Sequence, residues 1–302
     1  MIIICFQGGL GNQMFQYAYY LQIKHLYPNA KVFADISDYK CENSIRRFEL
    51  EEIFGIKLEK ASLLNIFRLS NKVPGSSKYS FIRRRLDKKM ANLLNTTVDR
   101  LRPHYFFLNN RIKTDFDEQK NYFLEGFWQN EEAFSGVKED VVSTFRNVID
   151  NPLIAKIKPD EYINNWNSYN TVSVHIRRTD YLTESNFVNL TENYYKRAIR
   201  YINDKVEKPL FVFFSDDTNY VMEKYSWLKN KKIITENTGE NSYKDMLLMA
   251  ECKHNIIANS TFSYWGAYLN INPDKIIIAP NRFLKDNLTP LAANGWLLMD
   301  VE

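Results

Sequence analysis

The sequence predicts an α/β protein of two domains with a cleft between the halves, on three observations. The chain has 302 residues, 45% of them apolar and 25% charged, ample for two hydrophobic cores. Short apolar runs alternate with helical segments in two separate series, as βα units do. Between the series, Asn151-Pro152 and Lys158-Pro159 interrupt the pattern. Because the residue before a proline is biased away from helix, we place the domains at residues 1–155 and 156–302.

Each element follows from local pattern. IIICF at residues 2–6 is a short apolar run, read as a buried strand. The turn QGGLGN leads to a helix over 14–26, and 31–35 form a second strand, completing a βαβ unit. Residues 62–102 read as basic helix interrupted at Pro74-Gly75. A strand is expected at 122–126 and a helix over 131–148. In the second half, strands fall at 171–176, 210–215, 232–235, 255–258 and 275–279. Helices lie between them at 191–205, 218–226, 241–252 and 262–270. No internal repeat or low-complexity tract is present.

Composition excludes several classes. Cys5, Cys41 and Cys252 are odd in number and lack a CxxC pair, which argues against a disulfide framework or structural zinc. The opening apolar run is too short for a signal or a membrane span. A reducing cytoplasm is the expected compartment. The net charge of +4 hides an asymmetry: ten basic residues stand against Asp87 and Asp99 between Ile66 and His104, a local charge of +8. That stretch reads either as a solvated helical face or as a surface meeting anionic lipid. No nucleic-acid-binding module accompanies it.

Four blocks carry the chemistry. QGGLGNQMF joins a strand to a helix but lacks the third glycine of the dinucleotide fingerprint. It reads as a tight turn or as an anion site, where glycines let backbone N–H groups approach and Asn12 and Gln13 add donors. HIRRTDY, residues 175–181, ends a strand with an arginine pair, and arginine matches phosphate oxygens bidentately. Strand alternation puts His175 and Arg177 on one face and Arg178 on the other. Ser215-Asp216-Asp217 ends the next strand and reads as an N-cap or as a carboxylate pair, with no metal required. Asn259-Ser260-Thr261 opens a helix as N-cap or phosphate cradle.

With GGLGNQMFQYA (8–18), LEGFWQNEEAF (124–134), HIRRTDY, FFSDD (213–217) and DMLLMAECKHNIIANSTFSYWGAYLN (245–270), the chain resembles the bacterial α-1,2-fucosyltransferases of glycosyltransferase family 11. Five blocks in order cover nearly the whole chain, and 62–102 matches least. Thr179 stands where the family often has glycine, and Tyr264 where tryptophan is common. The resemblance implies a GT-B-like fold: two facing Rossmann-like domains, with GDP-fucose mainly on the second and acceptor mainly on the first. It implies metal-independent, inverting transfer of L-fucose to the 2-hydroxyl of a galactose, with no cofactor.

On that resemblance Arg177 is the diphosphate ligand. Asn12, His175, Arg178, Ser215, Asp216, Asn259, Ser260 and Thr261 join it as donor-binding candidates, with Asp245 for guanine. A carboxylate is the usual base for the acceptor hydroxyl. Asp180 is the first candidate and Glu184 the alternative. Asp35, Phe127, Trp128 and Gln129 are acceptor candidates. The expected partner is a galactose-terminated oligosaccharide, lipid-linked in the case of surface-polysaccharide (O-antigen or capsule) assembly, with peripheral membrane contact through 62–102. The alternatives are transfer from another nucleotide sugar or to another hydroxyl, and a non-catalytic nucleotide- or glycan-binding module.

Overall fold

A computed structural model describes residues 1–41, 46–94, 96, 103–150, 157–179, 186–285 and 289–302. The chain divides into two compact units, residues 1–141 and 142–302. Each carries its own sheet, and every pairing among the described strands is parallel. Two sheet-bearing α/β units are the fold class the sequence predicts; the division falls at 141/142, where the sequence reading puts it at 155/156.

In the first unit, strands β1 (Ile2–Cys5), β2 (Val32–Asp35), β3 (Tyr105–Asn109) and β4 (Tyr122–Gly126) lie in the order β2-β1-β4-β3. β1 is buried along its whole length, and a strand covered on both faces reads as an unbroken apolar run. Helix α1 (Leu10–Leu26) starts directly after Gly8 and Gly9. Gly8 has φ +83°, and a Cβ there would lie 2.6 Å from Asn12 Nδ2, so the turn needs glycine twice over. α2 (Leu50–Phe54), α3 (Leu63–Leu69) and α4 (Ser77–Leu93) follow. The expected interruption at Pro74-Gly75 separates α3 from α4. The helix expected over 131–148 begins instead as a 3-10 turn, Glu131–Val137, irregular at Phe134, and continues as α5 (Lys138–Asp150). β3 was not expected: it is a short, partly exposed edge strand.

The second unit orders β5 (Asn170–Ile176), β6 (Pro209–Ser215), β7 (Lys231–Ile233), β8 (His254–Ile256), β9 (Ile277–Pro280) and β10 (Leu297–Met299) as β10-β9-β8-β5-β6-β7. Following α6 (Pro159–Tyr162), helix α7 (Glu192–Lys205) buries Tyr194, Tyr195, Ala198, Ile199 and Ile202, a single stripe at helical spacing, against β5 and β6. α8 (Thr218–Lys224), α9 (Tyr243–Glu251) and α10 (Thr261–Tyr268) complete the unit. α9 and α10 pack closely: a Cβ on Gly266 would come within 2.8 Å of Met249 Cβ. Trp265 is fully buried and meets Phe145 edge-on at 5.2 Å. Truncating a buried Trp of this kind costs about 3–5 kcal/mol.

Candidate active site

The strand order decides where a ligand can enter. Open parallel sheets bind ligands outside the carboxyl ends of the strands, where the order reverses. In the second unit that point lies between β5 and β8, since the chain goes from β5 outward to β6 and β7 and then returns to the other side. The carboxyl ends gathered there are those of HIRR, SDD and NST. In the first unit the reversal lies between β1 and β4, where GGLGN and FWQN stand.

At the β5 end one carboxylate organises the turn. Asp216 Oδ2 lies 3.3 Å from Arg177 Nε and accepts the Thr179 N–H at 3.1 Å and the Thr179 hydroxyl at 2.5 Å. Asp216 Oδ1 accepts the Arg178 N–H at 2.9 Å. Asp217 is used differently. Its Oδ2 accepts from Arg178 Nε at 3.1 Å, and its Oδ1 caps α8 by accepting the Tyr220 N–H at 3.0 Å. The Arg178 guanidinium lies 3.6 Å from the centre of the Tyr220 ring. The two arginines thus have different settings, Arg177 beside the loop carboxylate and Arg178 clamped between an acid and an aromatic face. Ser215 Oγ accepts the Asp217 N–H at 3.0 Å, which shapes the same turn.

His175 is buried, its Nδ1 makes no hydrogen bond among the described residues, and its ring centre lies 5.8 Å from that of Phe262 at the start of α10. Burial, reinforced by the Arg177 charge, holds its pKa down to about 3 against the opposing pull of Asp216, so the imidazole is neutral. Asn259 braces loops, donating to the carbonyls of Val188 at 2.6 Å and Phe283 at 3.2 Å. Ser260 caps α10 by accepting the Phe262 N–H at 3.3 Å, and Thr261 is the first residue of that helix. Helix N-termini favour anions. Asp245, in the first turn of α9, accepts from Asn237 Nδ2 at 2.8 Å, and Asn237 in turn accepts from the Tyr162 hydroxyl at 3.0 Å. Burial is the main cause that raises its pKa to about 7, with Glu236 adding to it and the Asn237 bond opposing. Neither Asn237 nor Tyr162 was foreseen, because only the fold brings them to Asp245.

In the first unit, Asn12 Oδ1 accepts from Gln129 Nε2 at 2.9 Å, joining the start of α1 to the end of β4 across the reversal point. Gln13 and Gln16 serve the scaffold: Gln13 Nε2 reaches the carbonyls of Gly8 and Arg47, and Gln16 ties the Gln7 N–H to the Gly126 carbonyl. Trp128 is 0% exposed and stacks on Tyr19 at 4.2 Å, so its ring offers no free face to a sugar. Phe127 and Gln129 are partly exposed. Asp35 is also buried, accepts the Ser37 N–H at 2.8 Å and has its pKa raised by that burial. The base candidates Asp180 and Glu184 lie outside the described residues. Among the described residues, no group of three or more His, Cys, Asp or Glu side chains could hold a metal ion.

One charged cluster escaped sequence reasoning. Lys72, counted there within the basic stretch, is 3% exposed. Its Nζ lies 2.7 Å from Asp38 Oδ2, 2.9 Å from Cys5 Sγ and 3.8 Å from Glu125 Oε1. Burial alone would lower the Lys72 pKa, but Cys5, Glu125 and Asp38 outweigh it and hold the ammonium charged. The parallel register sets Asp35, Cys5 and Glu125 side by side on the adjacent strands β2, β1 and β4, and Lys72 sets a positive charge against that row.

Comparison with known proteins places the chain in a family. The model for glycosyl transferase family 11 matches residues 1–296. The O-antigen biosynthesis glycosyltransferase WbnK of Escherichia coli is 32% identical over 97% of this chain and 98% of its own. An α-1,2-colitosyltransferase of the same organism is 32% identical over 93% and 91%. A galactoside α-(1,2)-fucosyltransferase 1 of Saimiri sciureus matches at 32% identity over 32% of this chain and 28% of its own. Among solved structures, the fucosyltransferase NodZ from Bradyrhizobium aligns over 88% of this chain and 91% of its own with a TM-score of 0.47 at 13% identity, too loose a likeness to carry weight.

Proposed function

The chain belongs to glycosyl transferase family 11 and is a glycosyltransferase; from that premise we propose that it transfers L-fucose from GDP-fucose to the 2-hydroxyl of a galactose, with inversion. The observation that carries this reading is Arg177 at the carboxyl end of β5, beside the reversal point, with the capped start of α10 on the neighbouring strand β8.

Displacement at the anomeric carbon leaves negative charge on the departing diphosphate. Arg177 stabilises that charge as it develops, with its guanidinium oriented through Nε by Asp216. The Ser260 and Thr261 end of α10 adds backbone N–H groups and the positive end of the helix dipole. A metal ion has no task left in this scheme, since Asp216 and Asp217 are both engaged with arginines. Asp245 accepts the paired N–H donors of guanine, the pattern that a carboxylate recognises on that base. Neutral His175 underlies the Arg177 segment and adds no charge to compete with it. Gln129 marks the acceptor side of the first unit and is held there by Asn12, itself a donor-side candidate; proton removal falls to Asp180 or Glu184.

The 2-hydroxyl as acceptor is supported by the α-1,2 linkage in the names of two relatives, and surface polysaccharide as product by the O-antigen role of WbnK. No helix among the described residues is long and apolar enough to cross a membrane. We assign the protein to the bacterial cytoplasm, where GDP-sugars are supplied.

A second reading has its own support, because the colitosyltransferase matches this chain at the same identity as WbnK. Colitose is fucose without its 3-hydroxyl, so the two donors differ by one polar group. Incubation with GDP-fucose, GDP-colitose, GDP-mannose or UDP-galactose, with and without a β-galactoside, separates the readings. GDP released from GDP-fucose alone, faster with the galactoside, unchanged by a chelator and yielding an α-1,2 product by NMR, is the expected result. Turnover only with GDP-colitose, or none with any GDP-sugar, overturns the proposal.

A further inference from the structure

We propose that α3 and α4 form a docking surface for an anionic lipid membrane. Both helices are anchored from one side only. Ile66 fixes α3 to the sheet beside Ile3, Cys5 and Phe123, while Ser80 and Ala91 are the buried positions of α4. A second face of α4 is apolar and open. Tyr79, Ile82, Leu86, Met90 and Leu93 recur at helical spacing and are 62%, 43%, 58%, 52% and 82% exposed. Leu63, Leu64 and Phe67 of α3 are exposed as well. A groove of about 610 Å³ runs between the helices, lined by Phe67, Val73, Ile82 and Leu86 together with Arg68 and Arg83.

Charge selects the occupant. Arg68, Arg84, Arg85, Lys88 and Lys89 are exposed on the same two helices, while Asp87 is the one acidic residue in α4. Arg83 is drawn inward, its guanidinium 4.1 Å from the centre of the Phe67 ring and bonded to the carbonyls of Lys72 and Phe67 at 2.6 Å each. A second copy packed symmetrically on this face would set arginines and lysines against themselves. An aqueous polyanion would leave the apolar stripe unused. A membrane with anionic headgroups uses both features: leucine, methionine and aromatic side chains enter the acyl boundary, and the cations meet the phosphates. Such a surface serves whichever sugar the enzyme transfers. It would bring the catalytic units to an acceptor held at a bilayer.

The test is co-sedimentation of the full-length protein with phosphatidylcholine vesicles, with and without phosphatidylglycerol. Binding is expected only with the anionic lipid and should weaken as salt rises, each reversed basic residue lowering the partition coefficient roughly fivefold or more. Leu86→Glu with Met90→Glu removes the apolar insertion, and Arg85→Glu with Lys88→Glu and Lys89→Glu removes the charge. Either set should abolish pelleting while thermal unfolding and turnover on a soluble acceptor stay as in the wild type. Failure of the folded wild type to bind, or equal binding to both vesicle types, overturns the proposal. So does a dimer in sedimentation velocity that Leu86→Glu dissolves, which would give the face to a second copy.

Discussion

Asp216 holds Arg177 Nε at 3.3 Å with the same carboxylate that accepts the backbone N–H groups of Arg178 and Thr179. One side chain therefore sets both the path of the turn after β5 and the orientation of the guanidinium that leaves it. Arg177→Ala should lower kcat at least a hundredfold, roughly the 3 kcal/mol lost with a preorganised transition-state donor, while the fold persists. Arg177→Lys should recover little, because an ammonium lacks the planar fork. Asp216→Ala should lower kcat and thermal stability together, since it releases the turn as well. Steady-state kinetics beside calorimetry checks all three, and near-normal turnover in folded Arg177→Ala would remove the assignment.

Arg178 is expected to behave differently. Its contacts to Asp217 and Tyr220 are structural, so Arg178→Met should cost about 1–2 kcal/mol of stability and change kcat only a few-fold. A loss of turnover as large as that of Arg177→Ala would place both arginines on the diphosphate.

Asp245 gives the pH dependence a sign. Its pKa is raised to about 7, mainly by burial, so between the ordinary carboxylate value of 3.8 and 7 the folded protein binds the extra proton. Its contribution to stability therefore falls as pH rises through that window. Asp245→Asn should gain stability relative to wild type above pH 7 and lose that gain towards pH 4. Donor affinity should move the opposite way in the wild type, KM rising as the carboxylate protonates below neutrality and leaves guanine with one acceptor fewer. Urea titrations and donor KM from pH 4 to 8 (about the span of both effects) provide the check.

His175 titrates with the contrary sign. An imidazole held neutral with its pKa near 3, below the 6.5 of an unconstrained histidine, supports the fold fully above 6.5 and progressively less as pH falls towards 3. His175→Phe should therefore flatten the acid limb of the stability profile, whereas an unchanged limb would show that other groups set it.

Lys72 is the interior counter-charge of Asp38 and Glu125. Lys72→Met leaves those carboxylates without it and should destabilise the first unit by about 3–5 kcal/mol. Adding Glu125→Gln should restore part of that loss, because the second substitution removes the charge left unpaired. A double variant no more stable than Lys72→Met would show that packing, not charge, is what the lysine supplies.

Gly8→Ala probes the turn before α1. With φ at +83° and Asn12 Nδ2 2.6 Å from the added carbon, the substitution should destabilise by more than about 1 kcal/mol and displace the Asn12–Gln129 contact. Chemical denaturation reads the first effect, and acceptor KM reads the second.

Much of this was legible in sequence because its signals are local. Buried parallel strands such as β1 and β6 are continuous apolar runs, and β4 was expected at its observed bounds, Tyr122–Gly126. HIRR, SDD and NST announced polar groups at strand ends, and five ordered blocks indicated the family. β3 and β10 went unread: YFFL and LLM are apolar, but such short runs do not by themselves tell a strand from other structure, and both strands lie at sheet edges. The rest needed long-range contacts that no local pattern records. Strand alternation separated Arg177 from Arg178, but the strand ends at Ile176, and it is Asp216 and Asp217 on the neighbouring strand that give each its setting. Lys72 counts as one more surface cation until the chain brings it to Cys5 and Glu125. Trp128 reads as a sugar platform until Tyr19 covers it. Composition and spacing determine which groups are available, whereas burial and partners determine which are charged, which are braced and which can meet a substrate.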